Sequence, residues 1–411
     1  MKKVISIIVL VVILVIAFAW CSNKKFESKE IKKYFYEVGT YTSLDYEYVN
    51  NYFAKENDNW SGGCSAISTI IDGTRLVGRN MDLNISNKCA YVIKTKLPQK
   101  YETIGLAYTF RDVSPDYEDL KANGLDESFK KILPFMCDDV LNSEGLHIEI
   151  NMRHGEKDTN GNDVFGVEHT NPNAAQRIYV FNLGQYIALN CKNLDAVKKY
   201  LAEEIDVYSQ KNYWNYSFIV TDAEGKSALL EFGKGKYYWT EPDKNGVIAQ
   251  TNFYVNEECN KMEDIKTGLG RYETLMSEIG KVNSKRELYD LMKKVQYSSY
   301  YLPYEECKNN HFDPRSEIIG EENDLGLDLN YNYVMSPENE ELISGALNAL
   351  GSHFRSMSRE EQQKANYYWE STFTEIVNPK EKTIEVRLFE NDSYLYRISF
   401  NGVEEISEIN E

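Results

Sequence analysis

Apolar and polar positions alternate in short runs along most of this chain. Ser65–Ile71 and Leu76–Met81 form one pair of runs, Ser217–Thr221 and Ala228–Phe232 a second, and Thr383–Phe389 and Tyr394–Phe400 a third. A period of two sends successive side chains to opposite faces, so each run predicts a strand, and the turn signal inside each pair predicts a hairpin. Helical spacing lies between them, over Leu194–Glu204 and again after Ser284-Lys285-Arg286-Glu287. The latter has the Ser-x-x-Glu form of a capping box, whose two side chains satisfy the first open N–H groups of a helix. Hairpins separated by helices favour an α+β body with antiparallel sheets over a parallel βαβ fold. Regular structure is expected to start near Cys64, with no internal repeat or low-complexity tract.

The strongest departure from this pattern is at the N-terminus. Lys2 and Lys3 precede an apolar run from Val4 to Trp20, and Asn23, Lys24 and Lys25 restore polarity. Residues 1–21 therefore read as a signal peptide or membrane anchor, close to the lower limit of about 17 apolar residues for a span. Cys21 invites lipidation, but Trp20 before it is bulkier than the small residue a signal peptidase accepts. Residues 22–63, with Lys/Glu clusters and many tyrosines, read as a polar tether or pro-segment, and 64–411 as the catalytic body. The expectation is an extracytoplasmic protein, membrane-anchored through this segment or secreted.

The net charge of -18 works against a nucleic-acid partner, because phosphate binding depends on Lys and Arg displacing counterions. The 42% hydrophobic content is enough for a large core. Seven scattered cysteines without a Cys-x-x-Cys pair support neither a zinc ribbon nor a disulfide framework, and their odd number leaves room for a working thiol. The five histidines lack a His-Glu-x-x-His pattern. Asp158–Asp163 imitates the start of a calcium loop, yet Asp163 stands where the turn glycine belongs and His169 where the bidentate Glu should be. Gly268-Leu269-Gly270 lacks the third glycine of a dinucleotide site. No metal or organic cofactor is expected.

Chemistry concentrates around Cys64. In Gly62-Gly63-Cys64-Ser65-Ala66-Ile67-Ser68-Thr69-Ile70-Ile71-Asp72-Gly73-Thr74-Arg75-Leu76-Val77-Gly78-Arg79-Asn80-Met81-Asp82, Asp-Gly between apolar runs signals a two-residue hairpin loop. With Asp72 and Gly73 in the loop, Ile71 faces Thr74 and Cys64 falls opposite Met81. Arg79 then shares the face of Cys64, diagonal to it at about 7–8 Å between backbones, within reach of a guanidinium. A cation there is expected to lower the thiol pKa from its ordinary value near ~8.5. Asp82 has the opposite parity, so it reaches the same site only at a strand end or beside a bulge.

Gly-Cys-Ser, then Asp-Gly, then Gly-Arg-Asn-Met-Asp resembles the opening of the choloylglycine hydrolase and penicillin V acylase family. It is also similar to acid ceramidase, N-acylethanolamine amidase and the isopenicillin N acyltransferase-like proteins. The resemblance implies the four-layer αββα fold of the N-terminal-nucleophile (Ntn) hydrolases, with antiparallel sheets. It implies that Cys64 becomes a new N-terminus after cleavage behind Gly63, with its own α-amine as general base and with Arg79 and Asp82 supporting thiol and amine. Leu141–Leu146 followed by Ile150-Asn151 resembles the family strand whose Asn helps form the oxyanion hole, so Asn151 inherits that role. Gln250-Thr251-Asn252 matches the Thr-Asn pair with the other donor, Asn252, and Gly270-Arg271-Tyr272 matches the distal arginine, Arg271. Tyr216–Glu231 looks like the central hairpin and Tyr368–Val386 like the closing strands. The implied activity is hydrolysis of a linear N-acyl amide of a small molecule, with acyl transfer or a non-catalytic binding role as alternatives, in a chain that could be a homo-oligomer. Bile-salt hydrolases usually carry the Cys directly after the initiator Met and a long segment between the Thr-Asn pair and the distal Arg. Here 63 residues precede Cys64, and Asn252 and Arg271 are close in sequence, which points away from bile salts.

Overall fold

The computed structural model describes residues 28–32, 34–53, 62–84, 89–108, 117–153, 169–209, 215–233, 235–260, 267–296, 302–309, 312–318, 331–358, 369–388 and 394–407. The apolar run at 4–20, Cys21 and the calcium-like stretch 158–163 lie outside them. Among the described residues no helix is long and apolar enough to cross a membrane.

Two large sheets form the body. The first contains β1 (Ser28–Lys32), β2 (Phe35–Val38), β5 (Ala90–Thr95), β6 (Thr103–Tyr108), β7 (Cys137–Asn142), β8 (His147–Arg153), β11 (Asn215–Thr221), β12 (Ser227–Gly233) and β13 (Lys236–Thr240), in that spatial order. The second runs β14 (Ile248–Gln250), β3 (Gly62–Ile71), β4 (Thr74–Asn84), β15 (Trp369–Asn378), β16 (Thr383–Leu388), β17 (Tyr394–Ser399) and β18 (Gly402–Glu405). The pairing is antiparallel except for β2 with β5 and the small separate pair β9 (Gln176–Tyr179) and β10 (Ile205–Tyr208). The sheets face one another where β3 lies over β8 and β11. Helix α1 (Tyr46–Phe53) precedes β3, helix α2 (Leu183–Asn190) packs on β7 and β8, and α3 (Leu194–Glu203) follows it. On the second sheet, α4 (Leu269–Glu278) packs on β3 and α5 (Lys285–Lys294) on β4 and β15.

The hairpin at Cys64 has the expected register, with Ile71 opposite Thr74 and Cys64 opposite Met81. Asp72 and Gly73 both have positive φ, 48° and 71°, the combination that matches a two-residue turn to strand twist. The pairs β11/β12 and β16/β17 also form as hairpins, Thr221 closing on Ser227 and Leu388 on Tyr394. Helix α3 is capped by Asn193, whose side chain accepts from Ala196 N–H.

Regular structure does not wait for Cys64. Phe35, Tyr36 and Val38 are buried in β2, and Val49 and Phe53 in α1, with Tyr36 stacked against Tyr91 of β5. Part of the polar stretch 22–63 is thus docked as an edge of the first sheet. Its short apolar spacing is diluted by the surrounding Lys and Glu, which is why the pattern looks like a tether in isolation.

Over the second sheet, Leu275, Leu288, Leu291 and Met292 from α4 and α5 pack with Ile67, Leu76 and Ile376. Gly78 permits this approach, because a Cβ there would come within 2.9 Å of Met292 Cγ. Ser284 caps α5 by accepting from Glu287 N–H at 3.1 Å, and Glu287 reaches back to Asn283 N–H at 2.6 Å, one residue earlier than in the expected box. Replacing Ser284→Ala is expected to cost about 0.5–2 kcal/mol in urea unfolding, with little effect on the second sheet's register.

Candidate active site

The site is built where β3 and β4 meet β8 and the segment after β14. On the inner face of the second sheet, Arg79 Nη2 lies 3.8 Å from Cys64 Sγ, and Met81 Sδ lies 3.5 Å from the same sulfur. The diagonal derived from the hairpin therefore brings the guanidinium to the thiol. The remaining nitrogens of Arg79 are held by the opposite sheet. Nε donates to Glu149 Oε1 at 3.0 Å, Nη1 donates to Asp139, and Nη2 also donates to Ile150 O at 2.7 Å. All three charged side chains are fully buried.

The expected lowering of the Cys64 pKa does not occur. Burial pushes the thiol up to about 12, and Arg79 pulls it down by less, because Asp82 and Glu149 oppose that pull. The sulfur's residue is only 2% exposed, and the charge of Arg79 is already shared with two carboxylates. A cation that is neutralised by closer partners does little for a desolvated thiol.

Asp82 sits opposite Gly63, and β15 shifts register between Ser371 and Phe373 beside it. Of the strand end or bulge that its parity required, this is the second. Its carboxylate accepts from Ser371 Oγ–H and lies 3.4 Å from Arg271 Nη1. Burial raises its pKa to about 6 against the pull of Arg271 and the Ser371 bond.

Arg271 comes from the first turn of α4, after Gly268 with φ 79°. A Cβ on Gly268 would meet Arg271 Nη2 at 2.8 Å, so glycine is needed for the guanidinium to pass. Nη1 donates to Cys64 O at 2.7 Å and to Ser65 Oγ at 2.8 Å, while Nη2 donates to Asn252 Oδ1 at 2.8 Å. Glu317 grips the same guanidinium through both oxygens, at 3.0 and 3.1 Å. Asn252 Oδ1 also accepts Cys64 N–H at 3.2 Å, and its Nδ2 donates to Met152 O at 2.8 Å. Asn151 Nδ2 donates to Thr251 O at 3.3 Å. Each Asn amide thus gives one N–H to a main-chain carbonyl and retains a second.

All six residues singled out from the sequence converge here. Sequence reasoning missed Asp139, Glu149, Glu317 and Ser371, and also Gln250, which donates to Glu149. The available signal was the alternation His147, Glu149, Asn151, Arg153 on one face of β8, which reads as a solvent face and is instead buried between sheets.

Asp139, His147 and Glu375 bring ligand-type atoms within 4.8 Å of one another. Arg79 already supplies a cation beside Asp139, so the group reads as a charge cluster. Substituting Arg79→Met leaves buried carboxylates without a counter-charge and is expected to destabilise the fold by about 3–5 kcal/mol. Urea unfolding measures this, and the loss should shrink in acid as the carboxylates take up protons.

No curated protein sequence matches the chain. Among solved structures, conjugated bile acid hydrolase from Clostridium perfringens is similar at 14% identity, covering 85% of this chain and 99% of its own, with a TM-score of 0.40. Penicillin V acylase from Agrobacterium tumefaciens is similar at 11% identity, covering 82% and 86%, with a TM-score of 0.41. Residues 132–313, from just before β7 to beyond Arg271, match the sequence model of the acyl-coenzyme A:6-aminopenicillanic acid acyl-transferase family, the Ntn-hydrolase-like group that the opening at Cys64 resembles.

Proposed function

We propose that this chain is the precursor of a cysteine Ntn enzyme with a four-layer αββα body, which hydrolyses a linear N-acyl amide after cleavage between Gly63 and Cys64. One observation carries the reading. Strand β3 runs through Gly62, Gly63 and Cys64, while Cys64 N–H is already held by Asn252 Oδ1 and its carbonyl by Arg271. Cutting the bond behind Gly63 converts that nitrogen into an α-amine without moving its anchors. Such an amine titrates near ~7.7–8.0 and serves as a general base when neutral.

In the cleaved enzyme the α-amine takes the thiol proton, and the Cys64 thiolate attacks the acyl carbon. The tetrahedral oxyanion is met by the second N–H groups of Asn151 and Asn252, each contributing about 3–4 kcal/mol of transition-state stabilisation. The C–N bond breaks as the ammonium returns its proton to the departing amine, leaving a thioester. Water, deprotonated by the same α-amine, then releases the acid and restores the thiol. Arg79 steadies the thiolate, Arg271 fixes the residue's carbonyl, and Asp82 holds Arg271 and faces the cleavage point. No cofactor enters this scheme. The raised pKa of the buried thiol accounts for latency before cleavage.

Acyl transfer is a second reading, favoured by the family matched over residues 132–313. It keeps the thioester and replaces water by an acceptor amine, so adding amines and detecting a new amide separates the two. The substrate class is a small N-acyl amide in either case, and the N-terminal apolar segment would hold the enzyme outside the cytoplasm, anchored or as a secreted form.

Intact mass and N-terminal sequencing of the wild type and of Cys64→Ala test the proposal. A mature chain beginning at Cys64 in the wild type alone is expected. An intact junction in both leaves the thiol without its base and favours a non-catalytic binding protein on this scaffold.

A further inference from the structure

Glu375 of β15 is a member of the charge cluster that the cysteine chemistry leaves unused. It lies directly across from Arg79 of β4, is fully buried, and neither carboxyl oxygen meets a donor. Its surroundings are Arg79 from β4, Asp139 from β7, His147 and Glu149 from β8, and on its other side Val386 of β16. Asp139 is saturated differently. One oxygen pairs with His147 Nε2 at 2.9 Å and the other takes Arg79 Nη1–H.

Carboxyl oxygens of Glu375 and Asp139 lie within 4.8 Å of one another, and the contact with Asp139 is among the causes that raise the Glu375 pKa. Two ionised carboxylates cannot hydrogen-bond, because both are acceptors only. Ionising all of Asp139, Glu149 and Glu375 would also set three negative charges around one guanidinium in a space without water. Like charges at such range cannot all persist, and a proton is the least costly remedy.

We propose that Glu375 is a neutral carboxylic acid donating its proton to Asp139, and that it is thereby a positioning residue that keeps Arg79 against Cys64. If ionised, Glu375 would compete for Arg79, its cross-strand neighbour, and draw the guanidinium from the sulfur 3.8 Å away. As the acid, it leaves Arg79 to Asp139, Glu149 and the thiol. Burial and the charge of Asp139 both favour the protonated form. The positioning role rests on the reading of Cys64 as nucleophile. The protonation state does not.

The experiment therefore has two arms. Infrared difference spectroscopy of the wild type against Glu375→Gln at neutral pH should show a protonated carboxylic C=O band that the variant loses. If the variant does not fold, a pH titration of the wild-type band gives the same readout. Absence of the band, or a stoichiometric metal in the purified protein that Glu375→Gln abolishes, would overturn the proposal. In the second arm, alkylation of Cys64 by iodoacetamide is followed by peptide mass spectrometry. Glu375→Ala should slow it about tenfold or more and Glu375→Gln by less than about twofold, since the amide supplies an N–H to Asp139 and cannot titrate. Equal losses in two folded variants would sink the positioning role while leaving cleavage at Gly63 to be judged separately.

Discussion

A guanidinium enclosed between two sheets must find its counter-charges there, and Arg79 finds them on the sheet opposite its own. Glu149 and Asp139 belong to β8 and β7, whereas Arg79 belongs to β4. Removing either side would leave an uncompensated buried charge, which costs far more than the pair itself contributes. The network therefore specifies how the sheets dock more than it adds to stability. Because the same guanidinium also faces Cys64 Sγ, docking the sheets and furnishing the thiol are a single event.

Arg271 plays the matching part for the backbone. It joins α4 to Cys64 O, Asn252, Asp82 and Glu317, so the nitrogen, carbonyl and sulfur of one residue are held from three directions. The Cys64 thiol pKa is nevertheless raised, since desolvation outweighs the attraction of an arginine whose charge is shared with Asp139 and Glu149. Geometry and thiol pKa are thus separate properties here: the first is set by hydrogen bonds and ion pairs, and the second by what surrounds the sulfur.

Much of this was legible because hairpin geometry is local. An Asp-Gly loop and a period of two determine which residues face one another, so the Cys64–Met81 pairing and the Arg79 diagonal follow from counting. The parity of Asp82 required a strand end or a bulge beside it, and β15 supplies a register shift there from nearly 300 residues away. Strand β2 and helix α1 were lost among polar neighbours, since their burial depends on partners elsewhere in the chain.

Local residue order is enough for the hairpins, the cap at Ser284, the shared face of Cys64 and Arg79, and the family resemblance carried by the residues after Gly63. It took the packing of the two sheets to make the polar face of β8 interior, to give Arg79 to Asp139 and Glu149, and to raise the thiol pKa instead of lowering it. The physical reason is the range of the interactions. Turn chemistry and side-chain alternation act within a few residues, whereas desolvation and charge pairing depend on which sheet comes to lie above, and no local pattern records that.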